Sequence, residues 1–390
     1  MTVAANLAAL LCVIGMAQAV AGWILARRFV VRPRPGPAAR PPITVLKPLR
    51  GDEPLLEAAL GSVCRQDYPD FQIVFGVQEA GDSAIPVVRR LQSRFSALDL
   101  VLVANPARHG ANGKVSNLIN MLPAARHDVL VIADSDLHCA PDYLDRIAAA
   151  LGTPGTGLAT TLYAGLPAEL RLPGLLGATQ ITHSFLPGAL LARALGRQDC
   201  LGATMALRRE TLNRIGGLEA LVEHLADDNA LGRKVAGLGL TVRLADTVPL
   251  TTVPERSLAE LFRHELRWAR TIRALVPGQF AASVLQYPIG FAMLATALAA
   301  GALWGWALIL LAWAVRATAA RGIDRALSSL PASAPAAPVP LWLLPLRELM
   351  SLAVMIASYG GRRVEWRGQH LQADGPASLA VQTVKDQDGQ

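Results

Sequence analysis

The sequence predicts an α/β domain, with a parallel sheet covered by helices on both faces and membrane segments at both ends. From Ile43 to about Val253, short β-rich runs alternate with helical stretches at the spacing of strand–helix–strand units. One of these runs, "DVLVIADSD", is apolar enough for a strand buried on both faces. Long uncharged stretches flank the domain: the first 26 residues carry no charged side chain, and neither does Val284–Val315.

Composition agrees with that division. Of 390 residues, 52% are hydrophobic and 17% charged, and the mean hydropathy is +0.34. A fully soluble globule is less apolar, so the balance indicates a membrane protein with a soluble part. The net charge of +7 contains no run of five Lys or Arg and no basic strip interleaved with aromatics. An anionic membrane surface suits it, and no nucleic-acid partner is expected. Cys12, Cys64, Cys139 and Cys200 have no paired spacing, which speaks against a disulfide framework or zinc site and for a reducing compartment.

Residues 1–28 read as a transmembrane anchor. As a helix, 26 uncharged residues reach about 39 Å, against a hydrocarbon core of about 30 Å. A signal peptide is the competing reading, since "AQA" at 17–19 resembles a cleavage site. No basic segment precedes it and the apolar run continues past it, so a retained anchor is expected. Arg27, Arg28, Arg32 and Arg34 follow at once and place the domain in the cytoplasm, on the inner membrane. Residues 29–42 form a stiff Pro/Arg linker.

The domain proper is expected over 43–280. "ITVLKPL", "FQIVFGVQ", "DLVLVA" and "DVLVIADSD" read as strands. "LLEAALGSVCRQD", ending near Tyr68-Pro69, "AIPVVRRLQSRF" and "KVSNLINMLPAA" read as helices. Membrane segments are expected over 281–361, making the protein multi-pass. Val284–Val315 exceeds one span, so it is a tilted helix or a hairpin turning near Gly301 and Gly305. Arg347 and Glu348 interrupt the next apolar stretch, where charge is costly, so they are a buried pair or mark an interfacial segment. Residues 362–390 read as a tail, the last twenty without a fold.

Sites in parallel sheets lie at the carboxyl ends of strands. Asp134 and Asp136 end the most hydrophobic strand of the domain, and two carboxylates at i and i+2 suit Mg²⁺ or Mn²⁺ bridging a diphosphate, or a simple strand-terminating turn. Asp82 follows an earlier strand, as a helix cap or as part of the same edge. Lys114 opens a helix after a strand, where a cation can hold phosphate. Asp227 and Asp228 open another helix and suit its dipole. His138, beside the Asp pair, and His183 carry little weight. Leu170–Leu195 is unusually apolar, as buried core or as an interfacial lining for a lipid entrance. In "HELRW", His264, Arg267 and Trp268 share one helix face, with Arg263, Arg270 and Arg273 on the other side.

In their joint order, "TVLKPLRGDEP", "GDSAI", "GKVSNL", "IADSD", "GATMALRRE", "ADDNAL" and "HELRW" resemble the GT-A-fold inverting glycosyltransferases of family 2, more narrowly the ceramide glucosyltransferases and hopanoid-biosynthesis glycosyltransferases. The resemblance covers about residues 40–275. It implies the nucleotide-diphospho-sugar transferase fold, with a mixed, mainly parallel sheet. It also implies transfer of glucose or N-acetylglucosamine from a UDP-sugar to a hydroxyl of a membrane lipid, with a divalent metal at Asp136. Asp228 takes the place of the general base. Asp82 and Asp134 take the uridine and ribose side, and Lys114 and Thr204 also fall among the substrate contacts. Arg267 supplies a cationic fork and Trp268 a flat wall. His264 stands where the family box has Gln or Arg, as another donor. A processive polysaccharide synthase and a non-catalytic scaffold share these motifs. A synthase needs more membrane spans than this chain offers, and a scaffold would not need its acidic residues.

Overall fold

A computed structural model describes residues 3–331, 338, 340–361, 363–366 and 369–372. The strands of the domain are β1 (Ile43–Pro48), β2 (Phe71–Val77), β3 (Asp99–Ala104), β4 (Val129–Ala133), β5 (Leu137–His138), β6 (Thr156–Thr160), β7 (Ala164–Pro167), β8 (Thr204–Arg208), β9 (Thr241–Leu244) and β10 (Leu250–Val253). The helices are α1 (Val3–Val31), α2 (Leu56–Cys64), α3 (Ile85–Arg94), α4 (Gly113–Met121), α5 (Tyr143–Leu151), α6 (Leu172–Gln180), α7 (Leu186–Ala194), α8 (Arg209–Arg214), α9 (Asp227–Gly237), α10 (Leu258–Leu275), α11 (Pro277–Ala282), α12 (Pro288–Leu298), α13 (Leu303–Leu327) and α14 (Leu343–Ser358).

Seven strands form one sheet in the order β3-β2-β1-β4-β8-β6-β9. The β3-β2-β1-β4 half is parallel, while β8 runs antiparallel to both β4 and β6. The sheet is therefore mixed and mainly parallel, as the resemblance implies. Alternation along β1 sorts the two cores. Ile43 and Val45 pack with Leu60, Val88 and Ile147 on one face, whereas Leu46 packs with Val115, Leu212 and Leu231 on the other. Every residue of β4 is buried, which accounts for its unbroken apolar sequence. A smaller sheet, β5-β10-β7, sits beside the carboxyl end of β4.

Two local expectations shift. The helix expected to run to Tyr68-Pro69 stops at Cys64, because Gln66 Nε2 donates to Ala140 O at 2.8 Å and its Oε1 accepts from Leu144 N at 3.0 Å, turning the chain toward α5. The apolar stretch from Leu170 to Leu195 folds as α6, a π-helical turn over Ile181–Phe185, and α7. Most of it is buried against the sheet, α1 and α14.

Among the described residues two helices, α1 and α13, are long and apolar enough to cross a membrane, and α11 with α12 forms a pair bent by 72°. Val284–Val315 is a hairpin rather than one tilted helix: the chain turns at Ala300 and Gly301, both with positive φ (53° and 76°). The hairpin lays α13 parallel to α1. Ala9 and Val13 lie near Leu308 and Leu311, and a Cβ on Gly322 would fall 2.0 Å from the Trp23 ring nitrogen. The arginine-bearing ends of α1 and α13 thus lie together. At that end Arg32 is paired with Asp246 of the domain.

Arg347 and Glu348 are both 1% exposed, yet they do not pair with each other. Arg347 forks onto Glu265 of α10, with Nη1–Oε1 at 2.8 Å and Nη2–Oε2 at 2.7 Å. Glu348 accepts from Arg316 Nε of α13 at 2.8 Å and from Ile289 N at the start of α12 at 2.8 Å. Neighbours on a helix point about 100° apart, so adjacent charges of α14 reach different helices. At the C-terminal end, β11 (Arg363–Trp366) and β12 (Gln369–Gln372) form an antiparallel hairpin. Within the expected tail, 363–366 and 369–372 pair as strands, and residues 362, 367, 368 and 373–390 lie outside the described residues.

Removing one partner of a buried ion pair strands the other charge, at a cost of about 3–5 kcal/mol. Arg347→Met is expected to lower stability by that order, and adding Glu265→Leu to recover most of it. Denaturant unfolding of both variants in detergent micelles measures the difference.

Candidate functional site

The carboxyl ends of β1, β2 and β4, and the start of β8, share one edge of the sheet, since Ala133 pairs with Thr204 and Pro48 with Gly76. Asp134 leaves β4 at this edge, with its backbone N–H donating to Ala203 O at 3.1 Å. Below it, Lys47 is fully buried in β1 and donates to Asp134 O at 2.6 Å. Burial pulls the Lys47 ammonium below its ordinary value, opposed by the nearby carboxylates and thiols. A lysine inside the apolar run "TVLKPL" was the sequence signal for this support.

Across the edge, Lys114 opens α4, and its Nζ lies 2.6 Å from Asp134 Oδ1 and 4.0 Å from Asp227 Oδ2. Burial alone would lower this ammonium, but the charges of Asp134 and Asp227 outweigh it and hold Lys114 above its ordinary value. One cation thereby joins the strand-end acids to the pair that opens α9. Asp227 serves the first turn of α9 and also this bridge, which helix-dipole reasoning alone does not anticipate.

Asp136 accepts from Thr251 Oγ1 of β10 at 2.6 Å. Burial, reinforced by the Asp134 charge, pushes its carboxyl up to about 6. Ser135 between them donates to Glu53 at 2.6 Å, tying the loop after β1 over the site. Asp228 packs against the backbone before β8, where a Cβ on Gly202 would come within 2.8 Å of its Oδ2. Burial and the Asp227 charge push the Asp228 carboxyl up to about 6 as well. Tyr163, between β6 and β7, feels the charges of Asp228, Asp134 and Asp136 together, and its phenol is raised first by burial and then by them. Its ring lies 4.7 Å from Phe185 of the π turn. Tyr163 has no motif in the sequence. It arrives through the fold.

Trp268 on α10 packs into the cluster of Tyr163, Phe185, Ile181 and Val253. The face that carries Trp268 therefore borders the acidic edge. His264 stacks edge-on against Trp268 with ring centroids 4.3 Å apart, and its Nδ1 faces Glu255 Oε1. Arg267 is half-buried on the same helix. Ser257 caps α10 by accepting from Glu260 N at 3.2 Å.

One expected residue is placed differently, whereas Asp82 takes both of its expected positions, edge and cap. Asp82 sits at the right edge, after β2, and its Oδ1 accepts from Gly51 N at 2.9 Å and Ala84 N at 2.8 Å, which is the cap. Thr204 is fully buried, and its hydroxyl pairs with Tyr143 Oη at 2.9 Å. It supports the edge from beneath and is not brought to the cleft, because its side chain turns to the sheet face covered by α5. His138 pairs with Thr252 Oγ1 at 2.9 Å, and burial with the Lys47 charge pulls its ring down to about 4. Among the described residues, no three His, Cys, Asp or Glu side chains converge as a metal cluster. At the end of β4 the edge offers the Asp134 and Asp136 carboxylates.

A carboxyl raised in the folded state binds its proton more tightly there than when unfolded, so stability falls as pH rises through the interval between the two values. For Asp228 that window runs from about 4 to about 6. Asp228→Asn should match the parent protein below pH 4 and exceed it above pH 6 by on the order of 3 kcal/mol. Denaturant unfolding across pH 4–8 reads the difference.

Glycosyl transferase family 21 matches residues 7–377 of the chain. Ceramide glucosyltransferase 1 of Caenorhabditis elegans is 24% identical over 251 residues, covering 63% of this chain and 53% of that protein. The ceramide glucosyltransferase of Komagataella phaffii is 33% identical over 113 residues, 28% of this chain and 22% of that one. The chain thus spans about half or less of the length of these relatives. Among solved structures, a mannosyltransferase of Pyrobaculum calidifontis in complex with GDP-Man and Mn²⁺ aligns with a TM-score of 0.52 at 20% identity, over 92% of this chain and 99% of its own. At that identity the likeness concerns the fold, which is GT-A.

Proposed function

The chain belongs to glycosyl transferase family 21, and from that premise we propose that it moves glucose or N-acetylglucosamine from a UDP-sugar to a hydroxyl of a membrane lipid, with inversion at the anomeric carbon. The observation that carries this proposal is the Lys114 bridge, which sets the strand-end acids and the Asp227-Asp228 pair around one edge. A donor diphosphate and an acceptor hydroxyl need such neighbouring but distinct carboxylates.

In this account the acceptor oxygen attacks the anomeric carbon as the bond from that carbon to the diphosphate breaks, and the hydroxyl proton passes to Asp228. A carboxyl near 6 is mostly ionised at neutral pH and a stronger base than an ordinary aspartate. Lys114 and Arg267 hold phosphate charge, and Trp268 with Tyr163 walls the acceptor side. Asp82 and Asp134 stand on the nucleoside side. Asp134 and Asp136, two hard carboxylates of which the Asp134 charge helps raise the Asp136 carboxyl, fit a divalent cation such as Mg²⁺ or Mn²⁺, which when bound would supply positive charge to the leaving diphosphate.

The relatives matched are ceramide glucosyltransferases, which supports a lipid hydroxyl as acceptor. A ceramide or a hopanoid polyol presents such a group at the membrane interface. The arginine-bearing ends of α1 and α13 lie on the domain's side of the membrane segments, which supports a cytoplasmic domain on the inner membrane.

Purified protein in detergent, given UDP-sugar and lipid, should form a singly glycosylated lipid. Asp228→Asn is expected to lower kcat by at least about 10²-fold while donor affinity changes only a few-fold. Donor affinity retained with turnover intact would remove Asp228 from its role, and a polymeric product would replace the proposal with a processive synthase. Asp136→Ala and excess EDTA should each abolish turnover, with Mn²⁺ or Mg²⁺ restoring only the chelated parent protein. Full activity in EDTA would exclude the cation.

A further inference from the structure

Helix α14 is built inside out. Its polar side chains, Arg347, Glu348, Ser351 and Ser358, are all buried. Its exposed positions, Trp342 at the N-cap and Leu346, Leu349, Ala353 and Ile356 along the helix, carry only apolar side chains. At about 100° per residue these five fall within an arc of about 80°, so they form one stripe. Trp342 is 66% exposed and Ile356 73%. An uncovered apolar face of this extent marks a partner or a membrane, since water solvates it poorly.

The neighbours of α14 select the bilayer. One flank runs beside α10 over its whole length. Leu343 packs with Leu261, Arg347 pairs with Glu265, Val354 and Met355 pack with Ala269, and Gly361 O accepts from Arg273 Nη2 at 2.8 Å. The other flank meets the helices that enter the membrane. Leu341 O accepts from Trp313 Nε1 of α13 at 3.0 Å, and Glu348 accepts from Ile289 N in the first turn of α12 at 2.8 Å. Those helices expose apolar residues of their own, Met293 and Leu294 of α12 and Leu310 and Leu311 of α13. The stripe is the third side of α14, held directly against the apolar spans.

The same contacts fix how α14 lies. A helix of 16 residues is about 24 Å long, short of a hydrocarbon core of about 30 Å. An upright α14 would also carry α10 across the bilayer beside it, with Arg263, Arg267, Arg270 and Arg273, and charge at that depth is costly. Lying flat, α14 keeps α10 on the domain's side and turns only its stripe to lipid. Trp342 and Tyr359, both more than half exposed, bracket the stripe, and such rings settle at the headgroup level. Both ends of the helix are then at one depth.

We infer that α14 is an in-plane helix seated in the leaflet on the domain's side, its stripe against the acyl chains, and that the chain does not cross the membrane between Leu341 and Gly361. This placement does not depend on sugar transfer, and its test reads no activity. Trp342→Cys, Leu346→Cys, Leu349→Cys, Ala353→Cys and Ile356→Cys each introduce one exposed thiol for a nitroxide label. The four native cysteines are buried, so the parent protein serves as the blank. The full chain is placed in phosphatidylcholine nanodiscs. Saturation of each label is then measured with oxygen, which concentrates in lipid, and with a nickel chelate, which stays in water. All five labels should favour oxygen and lie at one depth within about 5 Å, one helical pitch. A label at Arg90→Cys, exposed on α3 of the domain, should favour the chelate. A depth that changes steadily from 342 to 356 would make α14 a span. Chelate access at all five positions would leave the stripe in water, and labels closed to both reagents would put a second copy of the chain on it. Each of these results overturns the inference, and a position that fails to fold leaves the other four to decide.

Discussion

Lys114 Nζ stands between Asp134 and Asp227, 2.6 Å from one carboxylate and 4.0 Å from the other. The first carboxylate ends the central strand and the second opens a helix more than ninety residues later. Without a cation between them, four acids, Asp134, Asp136, Asp227 and Asp228, would crowd one partly dry edge, and like charges at short range in low dielectric repel strongly. The ammonium lets the edge close while Asp136 and Asp228 keep carboxyls raised to about 6. An approaching diphosphate would find that cation already oriented, which is the preorganisation that electrostatic catalysis requires.

A second constraint acts from the membrane side. The helix bearing Arg267 and Trp268 is held by the Glu265–Arg347 fork, and Arg347 belongs to α14. Glu348, the next residue, fixes α14 to α12 and α13. The membrane helices and the aromatic wall of the cleft are therefore one packed unit. Buried ion pairs add little net stability but are costly to break, so they specify position more than they strengthen the fold.

Much of this was legible in the sequence where short-range physics decides. The both-faces-buried strand before Asp134, the turn at Gly301 and the uncharged first helix follow from periodicity, backbone freedom and span length. The family box in "HELRW" located the aromatic face of α10. Other features depend on contacts between distant segments and leave no periodic trace. Glu265 and Arg347 are 82 residues apart, so the sequence showed a charge pair in an apolar stretch but not that each member reaches a different helix. Thr204 stood in a matching motif, yet its side chain turns to the face covered by α5 and is buried there. Tyr163 carries no motif, and only the small β5-β10-β7 sheet explains its place beside the acids. Asp227 was readable as a helix-opening acid, and its second tie to Lys114 needed the fold.

The central claim is that a sugar is transferred to a membrane lipid, and lipid extracts test it most directly. Cells lacking the chain and cells carrying it should be compared by mass spectrometry. The account predicts that one glycolipid disappears with the chain, that its mass exceeds the accumulating aglycone by one hexose or N-acetylhexosamine, and that the Asp228→Asn protein does not restore it. Identical lipid profiles, or restoration by the Asp228→Asn protein, would contradict the account.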